Sequence, residues 1–122
     1  MYSLAQIDPS LYSLAVEAID TAFALAPTDA KVLYNKALLY DQAGQREQAL
    51  ELLKETIELK PNYRDALYAK ALLHSEIAES IAATNSAQAT QERAQARENL
   101  QLILERIVPN DTQAKELLEK LQ

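Results

Sequence analysis

Apolar residues along this chain recur three and four positions apart in one stretch after another, the period of an α-helix rather than the alternation of a strand. Ala15, Ile19 and Ala22 form one stripe, Leu33, Ala37 and Tyr40 a second, and Ala49, Leu53 and Ile57, closing on Lys60, a third. A longer pair follows, with Ile77 and Ile81 on one member and Ala89, Ala96, Leu100, Ile103 and Ile107 on the other. The last stripe is Ala114, Leu117, Leu118 and Leu121. Turn-forming residues separate these segments. Asp8-Pro9 reads as an N-cap followed by proline at the first helical position. Gly44 ends the second helix, and Thr84-Asn85-Ser86 breaks the long pair. Asn110-Asp111-Thr112 caps the last helix, with Lys115 and Lys120 late enough in it to favour its dipole. The prediction is an all-α chain of antiparallel helical hairpins without strands.

The pattern repeats. Pro27 and Pro61 lie 34 residues apart, and Leu33-Tyr34-Asn35-Lys36-Ala37-Leu38-Leu39-Tyr40 aligns with Leu67-Tyr68-Ala69-Lys70-Ala71-Leu72-Leu73-His74 at six identities in eight positions. Before the prolines, Ala15, Glu17, Ile19 and Leu25 match Ala49, Glu51, Leu53 and Leu59. A helical repeat of this length is that of the tetratricopeptide repeat (TPR). The stretch from Ala30 to Pro61 resembles one complete TPR. Leu33 stands at its large apolar position, Ala37 at the small position of the first helix, Tyr40 at the aromatic position and Gly44 at the turn. Ala49 and Leu53 fill the close-packed sites of the second helix, and Pro61 closes the unit. Lys36 and Thr56 depart from the pattern. Lysine is expected to lay its methylene stem on the core and lift its ammonium to water, and threonine costs little helix propensity.

The next closing proline, Pro109, comes 48 residues after Pro61, so this unit carries 14 extra residues. Two heptads added to a hairpin keep its facing stripes in phase, which predicts two lengthened helices meeting near residues 84–86. The resemblance implies a single-domain, right-handed solenoid of helical hairpins over 1–122. It comprises a half repeat at 8–27, a complete repeat at 30–61, a repeat with lengthened helices at 64–109 and a C-terminal capping helix at 111–122. The start halfway through a unit points to a segment cut from something longer.

Composition narrows the function. The net charge of −6 and the lack of any basic run make nucleic acid an unfavourable partner. No apolar stretch reaches the roughly 18–20 residues that span a bilayer, so membrane insertion of this segment is not expected. The chain has no cysteine, which removes disulfides and thiolate metal sites and leaves the compartment open, cytoplasmic or extracytoplasmic. Catalytic, cofactor and metal-binding residues are predicted to be none. His74, the single histidine, stands where Tyr40 stands one repeat earlier and reads as a packing residue that Glu76 or Glu79 on its own helix approaches. Asn110-Asp111-Thr112 has the form of a glycosylation acceptor but reads as a cap.

In TPR domains the first helices of successive repeats line a concave groove for a peptide or a partner helix. By that resemblance Lys31, Tyr34, Asn35, Leu38, Asp41 and Gln42 face it from one helix, and Asp65, Tyr68, Ala69, Leu72, Ser75 and Glu76 from the next. Some TPRs clamp the acidic tails of chaperones. Lys31 and Asn35 fit part of that pattern, but Asp65 and Ala69 stand where further basic residues would be needed, so acidic tails are repelled. The expected function is a protein-binding scaffold without catalysis, whose partner is a protein, a peptide or another copy of the chain. Three runs, Lys60 to Ala66, Ala96 to Leu100 and Pro109 to Asp111, also resemble the TPR tails of bacterial O-antigen-type polysaccharide polymerases and ligases. The alternative expectation is the soluble C-terminal domain of such an enzyme.

Overall fold

The computed structural model describes residues 9–25 and 28–121, and among these every regular element is helical. Asp8 of the expected first cap, Pro27 of the repeat and Gln122 lie outside the described residues. The elements are α1 (Pro9–Leu25), α2 (Ala30–Gln42), α3 (Arg46–Leu59), α4 (Arg64–Ile81), α5 (Ser86–Leu102) running into a π-helical turn (Ile103–Ile107), and α6 (Thr112–Leu121). They form two compact units, one ending at Pro61 and the other starting at Asn62.

In the first unit α2 and α3 make the principal hairpin, with α1 packed on α2. Asp29 starts α2 by accepting hydrogen bonds from the Lys31 and Val32 amides at 2.9 and 3.4 Å. The helix ends in a Schellman arrangement: the Gly44 amide donates to the Asp41 carbonyl and the Gln45 amide to the Tyr40 carbonyl. Gly44 sits at φ +81°, a left-handed conformation that costs glycine little and other residues more. Across the hairpin Leu33 and Ala37 meet Ala49, Leu53 and Thr56, all at most 2% exposed. Thr56 is tolerated in that dry seam because its hydroxyl donates to the Leu52 carbonyl at 2.7 Å.

Lys36 differs from its expected pose. Its side chain is only 18% exposed, with Nζ 3.9 Å from Asp20 and 4.3 Å from the centre of the Phe23 ring. The ammonium is thus satisfied by a carboxylate and an aromatic face on α1 rather than by open water.

The second unit is built on the longer hairpin, α4 at 18 residues and α5 at 17 against 13 and 14 for α2 and α3. Residues 82–85 turn between them, closed by the Asn85 amide donating to the Ile81 carbonyl, and the Asn85 side chain caps α5 at the Gln88 amide. The extra length does not divide as two heptads. Ala96, Leu100 and Ile103, all fully buried, stand 47 residues after Ala49, Leu53 and Thr56, whereas Pro109 stands 48 after Pro61. The hairpin therefore takes 13 of the 14 extra residues and the π turn takes one. There the Val108 amide reaches back five residues to the Ile103 carbonyl at 2.8 Å. Val108, which precedes Pro109, is extended, and Lys60, which precedes Pro61, has likewise left the helical region, since a proline ring disfavours the helical conformation in the residue before it.

Two polar pairs tie this unit together. Arg64, at the start of α4, grips Asp111 through two hydrogen bonds of 2.6 and 2.9 Å and reaches Gln113 at 2.8 Å. Asp111 also caps α6 at the Ala114 amide. The guanidinium, with help from that amide, holds the Asp111 carboxyl below its usual range despite burial. His74, buried on α4, pairs through Nδ1 with Glu92 of α5 at 2.5 Å. Its partner lies across the hairpin, which corrects the expectation of Glu76 or Glu79: the buried face of α4 points at α5, and Glu79 is exposed.

Four outcomes follow from this packing. Ala49→Leu is expected to overpack the α2–α3 contact and lower stability by about 1–3 kcal/mol in urea unfolding. Asp111→Ala removes a cap and leaves Arg64 without its main partner, for an expected loss of about 2–3 kcal/mol. Because Asp111 has a lowered folded-state pKa, its contribution is present above the unfolded carboxylate value of about 4 and is lost as pH falls through the folded value. Stability measured between pH 7 and pH 2 should therefore fall less steeply in Asp111→Asn than in the native chain. Slow amide exchange along α4 and α5, with fast exchange confined to residues 82–86, is expected for a hairpin that is helical to its tip.

Candidate functional site

The partner-facing residues expected from the sequence fall on α2 and α4, and exposure separates those that can meet a partner from those that cannot. On α2, Lys31 and Asn35 are exposed, while Tyr34, Leu38, Asp41 and Gln42 are half-buried. Burial pushes the Asp41 carboxyl above its usual range, opposed by the charge of Arg46. On α4, Asp65 is exposed and Tyr68, Ala69, Leu72 and Glu76 are half-buried. Ser75, also placed on this face by the sequence reading, is only 9% exposed and so offers a partner little surface.

Tyr68 is not a loose aromatic. The Arg64 guanidinium lies 4.8 Å from its ring centre while holding Asp111 and, at 3.1 Å, Asp65. Burial raises the Tyr68 hydroxyl pKa and the nearby guanidinium lowers it. One arginine thus fixes both the start of α6 and the aromatic of the α4 face. Its role is not visible in the local sequence, since Asp111 lies 47 residues away.

In the first unit the expected residues do converge with others. Asn35, Leu38 and Gln42, together with Leu39, form one wall of an open hollow of about 430 Å³, and Ala15, Ala18 and Ile19 of α1 form the other. The α1 wall was absent from the sequence expectation, although its alanine and isoleucine spacing was visible. A second hollow of about 630 Å³ lies beside Tyr40, bounded by Glu47, Gln48, Leu50, Glu51 and Leu52 of α3. Both are surface depressions; the first is floored by aliphatic side chains, and the second is rimmed by two glutamates.

Among the described residues no three metal-ligating side chains lie together, and no helix is long and apolar enough to cross a membrane. The atoms His74 Nε2 and Asn99 Nδ2 are buried without a hydrogen-bond partner among the described residues. Both sit in the second unit's helical hairpin.

Comparison with known proteins agrees with the repeat spacing. Over 64 residues the chain is 36% identical to serine/threonine-protein phosphatase T of Trypanosoma brucei brucei (strain 927/4 GUTat10.1), a match covering 52% of the chain and 14% of the phosphatase. The chain thus spans about one seventh of that relative. Residues 30–63, which hold α2 and α3, match the tetratricopeptide repeat family model. The chain is an all-α protein that carries a tetratricopeptide repeat.

Proposed function

We propose that the chain is a protein-interaction module, without chemistry of its own, that meets its partner on the first helix of each hairpin. The α2 surface offers Lys31, Tyr34, Asn35, Leu38 and Asp41, and the α4 surface offers Asp65, Tyr68, Leu72 and Glu76. The observation that carries the reading is the recurrence of Tyr34 and Leu38 as Tyr68 and Leu72, one repeat later and again only half-buried. Packing demands alone would bury such residues or let them vary. Tetratricopeptide repeats generally mediate protein–protein interaction, and a half-exposed tyrosine supplies large contact area at small cost in rotamer entropy.

The absence of a catalytic role is supported by the position of the single histidine. His74 is held in the α4–α5 seam by Glu92 and lines neither hollow described above. The likeness to polysaccharide-polymerase tails rests on three short sequence runs, whereas the matched relative is a phosphatase.

The test is a pair of single variants, Tyr34→Ala and Tyr68→Ala, in a chain whose partner has been captured by affinity purification and sequenced. Each is expected to keep the far-ultraviolet circular dichroism of the native chain and to weaken that partner at least about tenfold, or about 1.4 kcal/mol. Unchanged affinity in both, with loss on shortening the hairpin tip over residues 78–95, would move the interaction site to the long hairpin.

A further inference from the structure

Of the four hydrogen bonds that the Arg64 guanidinium makes among the described residues, three run to the start of α6 and one to its own helix. Nε and one terminal nitrogen hold the two oxygens of Asp111 at 2.6 and 2.9 Å, and that same nitrogen donates to the Gln113 side-chain oxygen at 2.8 Å. The other terminal nitrogen reaches Asp65 at 3.1 Å. A planar fork held at both oxygens of one carboxylate has little freedom to turn. The plane so fixed lies 4.8 Å from the centre of the Tyr68 ring.

The two sides of this clasp differ in their surroundings. Asp111 is only 8% exposed and caps α6 at the Ala114 amide. Asp65 is exposed and Tyr68 half-buried, and both belong to the α4 surface read above as the place a partner meets. The charges of α6 also reach that ring: burial raises the Tyr68 hydroxyl pKa, the Arg64 charge lowers it, and Asp111 and then Glu116 raise it. The apolar side of α6, with Ala114, Leu117 and Leu121 buried, lies mainly along α5. Toward α4 it is held through Arg64. Without Asp111 and Gln113 the guanidinium keeps one of its four bonds, to an exposed aspartate beside it in the chain, and an exposed pair of that kind orders a long side chain weakly.

We propose that partner binding on the α4 surface is coupled to the clasping of α6, with Arg64 as the positioning residue between them. Clasped, Arg64 holds the Tyr68 ring in one orientation, and a partner meets a surface already ordered. Unclasped, the fork leaves the ring, and the partner must freeze the rotamers that the ring has regained. By reciprocity a bound partner holds α6 in place. This rests on the interaction-module reading and adds its regulation: whatever draws Asp111 and Gln113 away from Arg64 lowers affinity at a surface it does not touch.

The experiment uses the full chain and the double variant Asp111→Asn/Gln113→Ala. Asparagine keeps a cap for α6 while the charge and the second carboxylate oxygen are lost, and neither change falls on the α4 surface. Circular dichroism is expected to match the native chain; should helicity fall, Gln113→Ala alone, at an exposed position, takes its place. Tyrosine-ring NMR signals of Tyr68, identified by their loss in Tyr68→Phe, are expected to shift in the variant and in Arg64→Lys, which keeps the charge but not the fork. A purely structural Arg64 would lower stability and leave these signals in place, and unmoved signals overturn the proposal without any partner. With the partner sequenced in the preceding experiment, the variant is expected to bind at least about fivefold more weakly. In the native chain the α6 amides over 115–120 are expected to exchange more slowly, by a similar factor, once that partner is bound. Loss of the partner in Tyr68→Ala with full binding in the double variant sinks the coupling and leaves the interaction module standing. Full binding in Tyr34→Ala and Tyr68→Ala as well sinks both.

Discussion

Close approach of helices through alanine governs this structure. Ala37, Ala49, Ala71 and Ala96 are all at most 1% exposed, and each lies within a helical hairpin. A methyl group at the contact lets neighbouring backbones come together in a way that no larger side chain permits. The larger residues are then distributed around those contacts: Leu33 and Leu53 in one unit, Leu67, Leu100 and Ile103 in the other. A core of this kind is thin. It leaves the tyrosines at its margins, where Tyr12, Tyr34, Tyr40 and Tyr68 remain half-buried with one side turned outward. The half-exposed aromatic surface is thus a by-product of how the interior is filled.

Thin apolar seams put more weight on directional pairs. Arg64 satisfies Asp111, stacks on Tyr68 and touches Gln113, so a single side chain couples a helix start, a cap and a surface ring. Lys36 does comparable work in the other unit between Asp20 and Phe23. These pairs contribute geometry more than net energy, because part of each attraction offsets the desolvation of the charges. Breaking one partner away is the costly event, since the other is left poorly solvated.

The repeat was legible because it is written in residues with local meaning. Ala49, Gly44 and Asp29 act within their own turns or on the neighbouring helix, and the 34-residue period shows Ala49 again as Ala15. The lengthening of α4 and α5 was also legible, from the displaced proline, and so was the turn near Asn85. What the sequence could not deliver were the partnerships between distant residues. His74 with Glu92 and Arg64 with Asp111 have separations of 18 and 47, and no periodicity marks them. The expected second heptad failed for a related reason: proline spacing counts residues without showing where in the unit each one is absorbed. For the candidate surface, the spacing placed Leu38 and Asn35 on α2 but ignored α1, because a half repeat read as a fragment suggests no wall of its own. Ser75 was carried to this face by the first-helix pattern of the preceding repeat, in which its counterpart Asp41 is half-buried, whereas Ser75 is only 9% exposed.

The π turn at Ile103–Ile107 separates two frames of reference within one continuous helix. Residues up to Ile103 keep their phase with the hairpin, while Pro109 and the start of α6 answer to the proline junction. The turn works like a leap day, taking up an odd residue so that neither calendar drifts. Related chains are consequently free to vary in hairpin length by numbers that are not multiples of a heptad, provided such a widened turn restores the alignment before the junction.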